Sequence, residues 1–189
     1  PILVLGGVYP GQEEELLRHR LTPTLFDLEL AQRLQRQAAA AGQSCPFHLK
    51  LDTGMGRVGF RPEELPRVLE RLAALPALRM EGVLSHLALA DESQHPFTGE
   101  QVASFRNALA AIRGAGFAPS LVHIANSAAL LGRELPECNL VRPGIALYGE
   151  LPSEHFAGPL ALRPVMSFRT EVVQVKEVPA GTGVSYGHR

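Results

Sequence analysis

The chain has 189 residues, 46% of them apolar, which is enough to bury a sizeable core. Its 18 Lys and Arg residues balance 19 Asp and Glu residues with no block of like charge, which argues against a nucleic-acid or membrane-surface binder. Cys45 and Cys138 lie far apart without metal-ligand spacing, and no apolar run reaches transmembrane length. We therefore expect a soluble cytoplasmic protein with no metal site, no membrane span and a small-molecule ligand.

Short apolar runs alternate with helical patterns along most of the chain. Runs rich in Val, Ile, Leu, Thr or Phe predict buried strands at 2–6, 21–27, 47–52, 81–88, 121–127 and 140–149. Amphipathic stretches predict helices at 11–20, 28–42, 62–75 and 98–116. Gly42 and Gly114 are expected to end helices, and Thr98 followed by Gln101 is typical of a capping box. The alternation predicts a parallel sheet and an α/β fold.

Polar residues follow the predicted strands, in "KLDTG", "LSH", "HIANS" and "VRPG". A βα-barrel or an open α/β sheet places its active site at these strand ends. We expect a partial (β/α)8 barrel of about six of the eight strands over residues 1–163, with the missing strands upstream. The alternating pattern of 164–189, with a turn at "PAGTG", predicts an antiparallel strand pair that begins a second, β-rich domain.

The glycine pattern Gly54-x-Gly56-x-x-Gly59 follows the third predicted strand. It has the spacing of a dinucleotide-binding turn, but Arg57 stands where that turn would approach a pyrophosphate. Pro62 opens the helix only after the last glycine, whereas a dinucleotide-binding helix starts within the motif. The dinucleotide hypothesis is therefore disfavoured.

The whole stretch "HLKLDTGMGRVGF" closely resembles a motif of bacterial alanine racemases. Four further matches follow in that family's order, namely "SHLALADE", "HIANSAALL", "VRPGIALYG" and "PAGTGVSYG". The resemblance implies a pyridoxal 5'-phosphate enzyme with a barrel and a β domain, a head-to-tail homodimer that interconverts L- and D-alanine for peptidoglycan. It also implies that the Schiff-base lysine and most of the C-terminal domain lie outside this sequence.

A phosphate group on a barrel is commonly held by loops after the last strands, through backbone amides and a helix start. Asn126 and Ser127 supply polar side chains at a predicted helix start, and Gly144 and Ile145 supply backbone amides. The resemblance assigns phosphate binding to Ser127, Gly144 and Ile145 and places Asn126 beside them. The alternative is a capped helix followed by an ordinary turn.

Arg142 stands at a predicted strand end, and its guanidinium is always charged. The resemblance implies that Arg142 donates to the pyridine nitrogen of the cofactor, which limits the carbanion charge on the ring and suppresses transamination. It implies that His86 orients this guanidinium. The alternatives are a rim ion pair for Arg142 and an ordinary strand histidine for His86.

Arg57 offers a planar fork suited to a carboxylate or a phenolic oxygen. The resemblance implies that Arg57 binds the substrate carboxylate side of the site and the ring oxygen of the cofactor. Burial of Lys50 would lower its pKa, and the resemblance implies that Lys50 is carbamylated in many members and then holds Arg57. The alternative is an ion pair between Lys50 and Asp52, which share one face of the strand.

Tyr186 is the catalytic residue that the resemblance implies. It would abstract the α proton of L-alanine, reaching the barrel of the partner subunit, while the lysine serves the opposite face. A tyrosine with an ordinary pKa of about 10 needs nearby positive charge to accept a proton at neutral pH. The alternative is a half-buried strand tyrosine.

Three other functions compete with alanine racemisation. A broad-specificity racemase would share the scaffold, whereas decarboxylases of this fold place an acidic partner at the pyridine nitrogen, which disfavours them given Arg142. A non-catalytic pyridoxal-phosphate carrier would be a lone barrel. The predicted start of a second domain argues against such a carrier.

Overall fold

The computed structural model describes residues 1–92, 94–154, 156 and 160–187. Its strands are β1 (Ile2–Val4), β2 (Leu21–Leu25), β3 (Cys45–Lys50), β4 (Leu78–Leu84) and β5 (Leu121–His123). Its α-helices are α1 (Glu13–Arg18), α2 (Leu28–Ala40), α3 (Leu65–Ala73), α4 (Phe97–Gly114), α5 (Ser127–Gly132) and α6 (Gly144–Leu147), and Pro62–Glu64 forms a 3-10 turn before α3.

The five strands form one sheet in the order of the sequence, and every pair of neighbours is parallel. A helix follows each of β1 to β4, as expected for successive βα units, and this arrangement is part of a (β/α)8 barrel. The predicted fold class is therefore confirmed. Within the described residues, no helix is long and apolar enough to cross a membrane.

The helices bury apolar residues that recur at helical spacing. They are Leu30, Leu34 and Ala38 on α2, Leu65, Val68, Leu69 and Leu72 on α3, and Val102, Phe105, Leu109 and Ile112 on α4. These faces pack against the strands, where Phe47 and Leu49 of β3 are almost fully buried. The pattern that predicted the helices is thus the pattern that forms the core.

The ends of α2 and α4 differ in how well the sequence predicted them. Asp27 caps α2 by accepting hydrogen bonds from two amides of the first turn, and Gly42 follows its end at φ +61°, as predicted. The prediction that α4 stops at Gly114 is confirmed, because Gly114 is its last residue, and the chain then turns at Gly116 with φ +88°. The predicted capping box of Thr98 is wrong, since Thr98 lies inside the first turn and donates to the carbonyl of Leu89.

The predicted sixth strand, 140–149, is not a strand. The chain at Asn139 and Arg142 donates backbone hydrogen bonds of 3.0 and 3.1 Å to Val122 and Ala125, so it runs beside β5 without forming a ladder. Pro143 has no amide to continue such a ladder, and Gly144 begins α6 instead.

The predicted C-terminal strand pair is also absent from the described residues 165–187. Phe168 and Val173 are 96% and 98% exposed, so the alternating apolar residues lack a surface to pack on, and an isolated pair of strands is marginal in water. The turn at "PAGTG" does form, with Thr182 donating to the carbonyl of Pro179 over 3.1 Å. The domain boundary near 164 stays a prediction. Part of the loop before this boundary, and residues 188–189, lie outside the described residues.

Candidate functional site

A pocket of about 680 Å³ opens at the carboxyl ends of the strands. Lys50 at the end of β3, His86 after β4 and Arg142 after β5 all line it, together with Arg57 and Gly144. The apolar part of its wall comes from Leu5, Phe26, Val58, Leu84 and Leu147. The three cationic side chains, Lys50, Arg57 and Arg142, suit an anionic ligand, and the apolar wall suits a flat ring.

Among the described residues, the hydrogen-bond partners of Arg142 are neutral groups. Its Nη2 donates to the carbonyl of Ser85 over 2.7 Å and lies 3.2 Å from Nδ1 of His86, which is the contact that the resemblance implies. Its Nη1 lies 2.7 Å from Nδ1 of His123. Among the residues that the structure describes, Arg142 has no ion pair, so the rim ion-pair alternative fails there. Burial lowers the pKa of Arg142 to about 10, so it stays charged at neutral pH.

The remaining donor of Arg142 is free to bind a ligand. Both Nη atoms are engaged, whereas Nε has no hydrogen-bond partner within the described part of the chain. The side chain lines the pocket, and among the described residues Nε is its one nitrogen without a hydrogen-bond partner. An arginine has no acceptor atom, so it can only pair with a ligand atom that carries a lone pair.

The imidazoles beside Arg142 are neutral. Burial, followed by the charge of Arg142, lowers the pKa of His86 to about 4 and that of His123 to about 3. A neutral His86 presents a lone pair to Arg142 and adds no positive charge to the pocket. The prediction that His86 orients the guanidinium therefore has the geometry that it needs.

Lys50 is 6% exposed and donates to the carbonyl of Leu51 over 2.7 Å. Burial lowers the pKa of Lys50 to about 8, opposed by Asp52 and assisted by Arg142 and Arg57. Asp52 instead accepts amide hydrogen bonds from the glycine loop, so the structure does not support the Lys50–Asp52 ion pair. The result is an amine of lowered proton affinity in the pocket, the property that carbamylation requires.

The glycine loop carries Arg57 to the rim. Asp52 Oδ1 accepts from the amides of Gly54 and Gly56 over 3.0 and 3.1 Å, and the loop returns to β3 through a bridge between Leu51 and Phe60. The guanidinium of Arg57 is exposed and, across the described residues, has no hydrogen-bond or ion-pair partner. The glycines thus build a tight turn that presents an unpaired cation, which a dinucleotide-binding turn does not do.

The loop after β5 contains both the predicted phosphate residues and a capped helix. Asn126 caps α5 by accepting from Ala129 and also donates to the carbonyl of Leu87, so it locks the helix start against the loop after β4. Ser127 is buried, and its Oγ accepts from the amide of Ala146 over 3.2 Å. The starts of α5 and α6 therefore lie against each other at the pocket.

Gly144 and Ile145 form the first turn of α6, where amides have no partner four residues earlier. The amide of Gly144 is turned back to the carbonyl of Arg142 over 2.9 Å. A side chain at Gly144 would approach only the Oγ of Ser127, at 3.9 Å, so its absence leaves open space at the pocket wall. Phosphate binding by these residues stays a prediction.

Tyr186 lies apart from the residues gathered at the pocket. It is fully exposed on the C-terminal segment and does not line the pocket. Its prediction places it in the barrel of a partner subunit, and the structure of one chain does not test that.

Sequence reasoning missed two buried histidines, His48 on β3 and His123 on β5. Nδ1 of His48 lies 2.8 Å from Nε2 of His123, whose other nitrogen contacts Arg142. One signal was available, because His48 shares the strand face of Lys50 by the period of two. Their mutual contact across β4 had no signal in the spacing.

Parallel βα units with a cation-lined pocket at the strand ends define a ligand-binding barrel of the (β/α)8 class. The family model described as "Alanine racemase, N-terminal domain" matches residues 1–152. The chain belongs to the alanine racemase family.

Relatives and solved structures agree with that assignment. The chain is 46% identical over 192 residues to the alanine racemase of Geobacter sulfurreducens, covering 100% of this chain and 50% of the relative. It resembles the alanine racemase of D-cycloserine-producing Streptomyces lavendulae, with a TM-score of 0.90 and 37% identity, over 99% of this chain and 50% of that one. It also resembles the enzyme of Bartonella henselae with covalently bound pyridoxal phosphate, with a TM-score of 0.82 and 28% identity, over 99% and 50%. The chain thus spans about half the length of its relatives.

Proposed function

We propose that this chain forms the cofactor-binding barrel of an alanine racemase that uses pyridoxal 5'-phosphate, works as a homodimer in the cytoplasm and supplies D-alanine for peptidoglycan. The family assignment supports the reaction, and the relative with covalently bound pyridoxal phosphate supports the cofactor. The single observation that carries the proposal is the hydrogen bonding of Arg142, which lines a pocket at the strand ends. Both of its Nη atoms have hydrogen-bond partners among the described residues, whereas Nε has none.

The pocket fits the cofactor through its donor set. The free Nε–H of Arg142 suits the lone pair of an unprotonated pyridine nitrogen, since neither that guanidinium nor the neutral His86 can supply a proton at neutral pH. Arg57 has unpaired donors for a phenolic oxygen and for the carboxylate of alanine. Ser127 and the amides of Gly144 and Ile145 would take the phosphate, once the amide of Gly144 leaves the carbonyl of Arg142.

The chemistry divides between cofactor and protein. Pyridoxal phosphate supplies the electron sink that makes the α proton of alanine removable. Arg142 would donate a hydrogen bond to the ring nitrogen without transferring its proton, and an unprotonated ring accepts less electron density than a protonated one. Tyr186 would take the α proton of L-alanine at its phenolate oxygen and become the neutral phenol, and racemisation requires a second base on the opposite face.

The test is a racemisation assay on the full-length protein with pyridoxal phosphate. We expect L-alanine to yield D-alanine, measured by chiral chromatography, and Arg142→Gln to weaken cofactor retention. Lys176→Gln is the matched control, because Lys176 is an exposed cation far along the C-terminal segment. Cofactor binding without D-alanine would favour a non-catalytic carrier, and faster turnover of other amino acids would favour a broad-specificity racemase.

A further inference from the structure

His48 reaches across a neighbouring strand to touch His123. The two residues lie on β3 and β5, with β4 between them, and their nitrogens are 2.8 Å apart. The residue of β4 beside His48 is Gly82, which pairs with His48 in the sheet, whereas His123 pairs with Leu84. A Cβ at Gly82 would lie 2.5 Å from Nδ1 and Cε1 of His48, so the missing side chain is the space that the imidazole occupies.

A bulge in the sheet supplies a carboxylate on the far side of His48. Phe47 pairs with Met80 and His48 pairs with Gly82, which leaves Glu81 as the extra residue. Its Oε2 lies 3.9 Å from Nε2 of His48, longer than a hydrogen bond but within the range of a strong charge effect. A negative charge beside Nε2 favours the form of His48 with its hydrogen on Nε2.

The hydrogen positions along this chain of contacts follow from Arg142. Arginine has no acceptor, so Nδ1 of His123, 2.7 Å from Nη1, must accept. Neutral His123 then carries its hydrogen on Nε2 and donates to Nδ1 of His48. Neutral His48 in turn carries its hydrogen on Nε2, facing Glu81. Each imidazole nitrogen of His48 and His123 is thus either a donor or an acceptor, and no two donors face each other.

We propose that His48 is a positioning residue for Arg142, acting by holding His123 in the one tautomer that can accept from the guanidinium. In the other tautomer, Nδ1–H of His123 would face a donor of Arg142 at 2.7 Å, and the guanidinium would be pushed from its place. Burial lowers the pKa of His48, as it does for His123, which keeps both imidazoles neutral as the tautomers require. The catalytic consequence rests on the proposed racemase function, whereas the tautomer itself does not.

Two substitutions separate the acceptor role from simple packing. His48→Asn retains an acceptor, because the amide oxygen is bonded to Cγ as Nδ1 is, whereas His48→Leu fills the space without one. Thr24→Val is a control in the same buried region, since Thr24 pairs with His48 and its hydroxyl has no partner among the described residues. A merely structural role of His48 predicts that Asn and Leu behave alike.

The first measurement is long-range ¹H–¹⁵N NMR of ¹⁵N-histidine-labelled full-length protein, with and without pyridoxal phosphate. We expect His123 to carry its hydrogen on Nε2 in the parent, His48→Asn and Thr24→Val proteins. We expect a mixture of tautomers in His48→Leu, because the Nε2–H has lost its acceptor, and Arg142 should move away from His123 wherever Nδ1 carries the hydrogen. A hydrogen on Nδ1 of His123 in the parent protein, or one unchanged tautomer in all variants, would overturn the proposal.

The second measurement is racemisation. We expect His48→Leu to lower kcat about tenfold or more, as small displacements of a reacting group do, and His48→Asn to restore most of it. Equal loss in both variants, with His123 unchanged by NMR, would overturn the positioning role. Absence of racemisation in the parent protein would count against the proposed function while leaving the tautomer result in place.

Discussion

Gly59 lies so close to β3 that no other residue can replace it without moving the backbone. A Cβ there would lie 2.6 Å from the amide nitrogen of Asp52 and from the carbonyl carbon of Leu51, and φ is +131°. Both contacts are backbone atoms of the segment that leads into the pocket, so neither can rotate away. Gly56, in the same loop, has φ +68° and nothing within 4 Å of such a Cβ.

The two glycines allow a matched pair of substitutions. For Gly59→Ala we expect backbone strain of about 1–3 kcal/mol and overlap of about 1–3 kcal/mol, together about 4 kcal/mol of lost stability. For Gly56→Ala we expect only the left-handed conformation to matter, at about 1 kcal/mol. At roughly 3 °C per kcal/mol for a domain of this size, the expected falls in Tm are about 12 °C and about 3 °C.

The assay is thermal unfolding of the full-length variants, followed by circular dichroism. Because Arg57 lies between the two glycines, Gly59→Ala should also weaken binding of an anionic ligand more than Gly56→Ala does. Equal Tm values for the two variants would refute the reasoning. The loss of stability would then come entirely from strain at positive φ, and the close approach of Gly59 to β3 would contribute nothing.

Three further predictions concern the pocket. Under the proposed function, Tyr186→Phe should severely reduce formation of D-alanine while the cofactor stays bound, because the group proposed to take the α proton is lost; unchanged turnover removes Tyr186 from the mechanism. Arg142→Glu should divert part of the alanine to pyruvate, since a carboxylate beside the ring favours its protonation; an unaltered ratio of products contradicts the role of Arg142. Lys50 should titrate near its lowered pKa of about 8, so its amine is neutral above that pH and charged below it. The ¹³Cε NMR signal of Lys50 can be assigned as the lysine signal that disappears in Lys50→Met. Its titration with pH should have a midpoint near 8, and a midpoint near 10.5 would contradict the effect of burial.

Much of the fold could be predicted from the local sequence pattern. Strand, helix and glycine signals are properties of adjacent residues, so β1 to β5 and the helices between them could be placed from spacing alone. The strand-end rule then predicted that Lys50, His86 and Arg142 would meet, and the structure brings all three to one pocket. The failures came where local pattern was ambiguous, as at 140–149, where apolar residues that predicted a strand surround Pro143 and Gly144 and a helix forms.

The sequence by itself determined which residues can form strands, turns and a donor-rich strand edge, because those properties depend on neighbours along the chain. Only the tertiary structure decided that His48 meets His123, 75 residues away, through the gap at Gly82. That contact depends on the register of three strands and on the bulge at Glu81, and a shift of one residue would turn the side chain to the other face. Register arises from packing of the whole sheet, so no stretch of sequence specifies it alone.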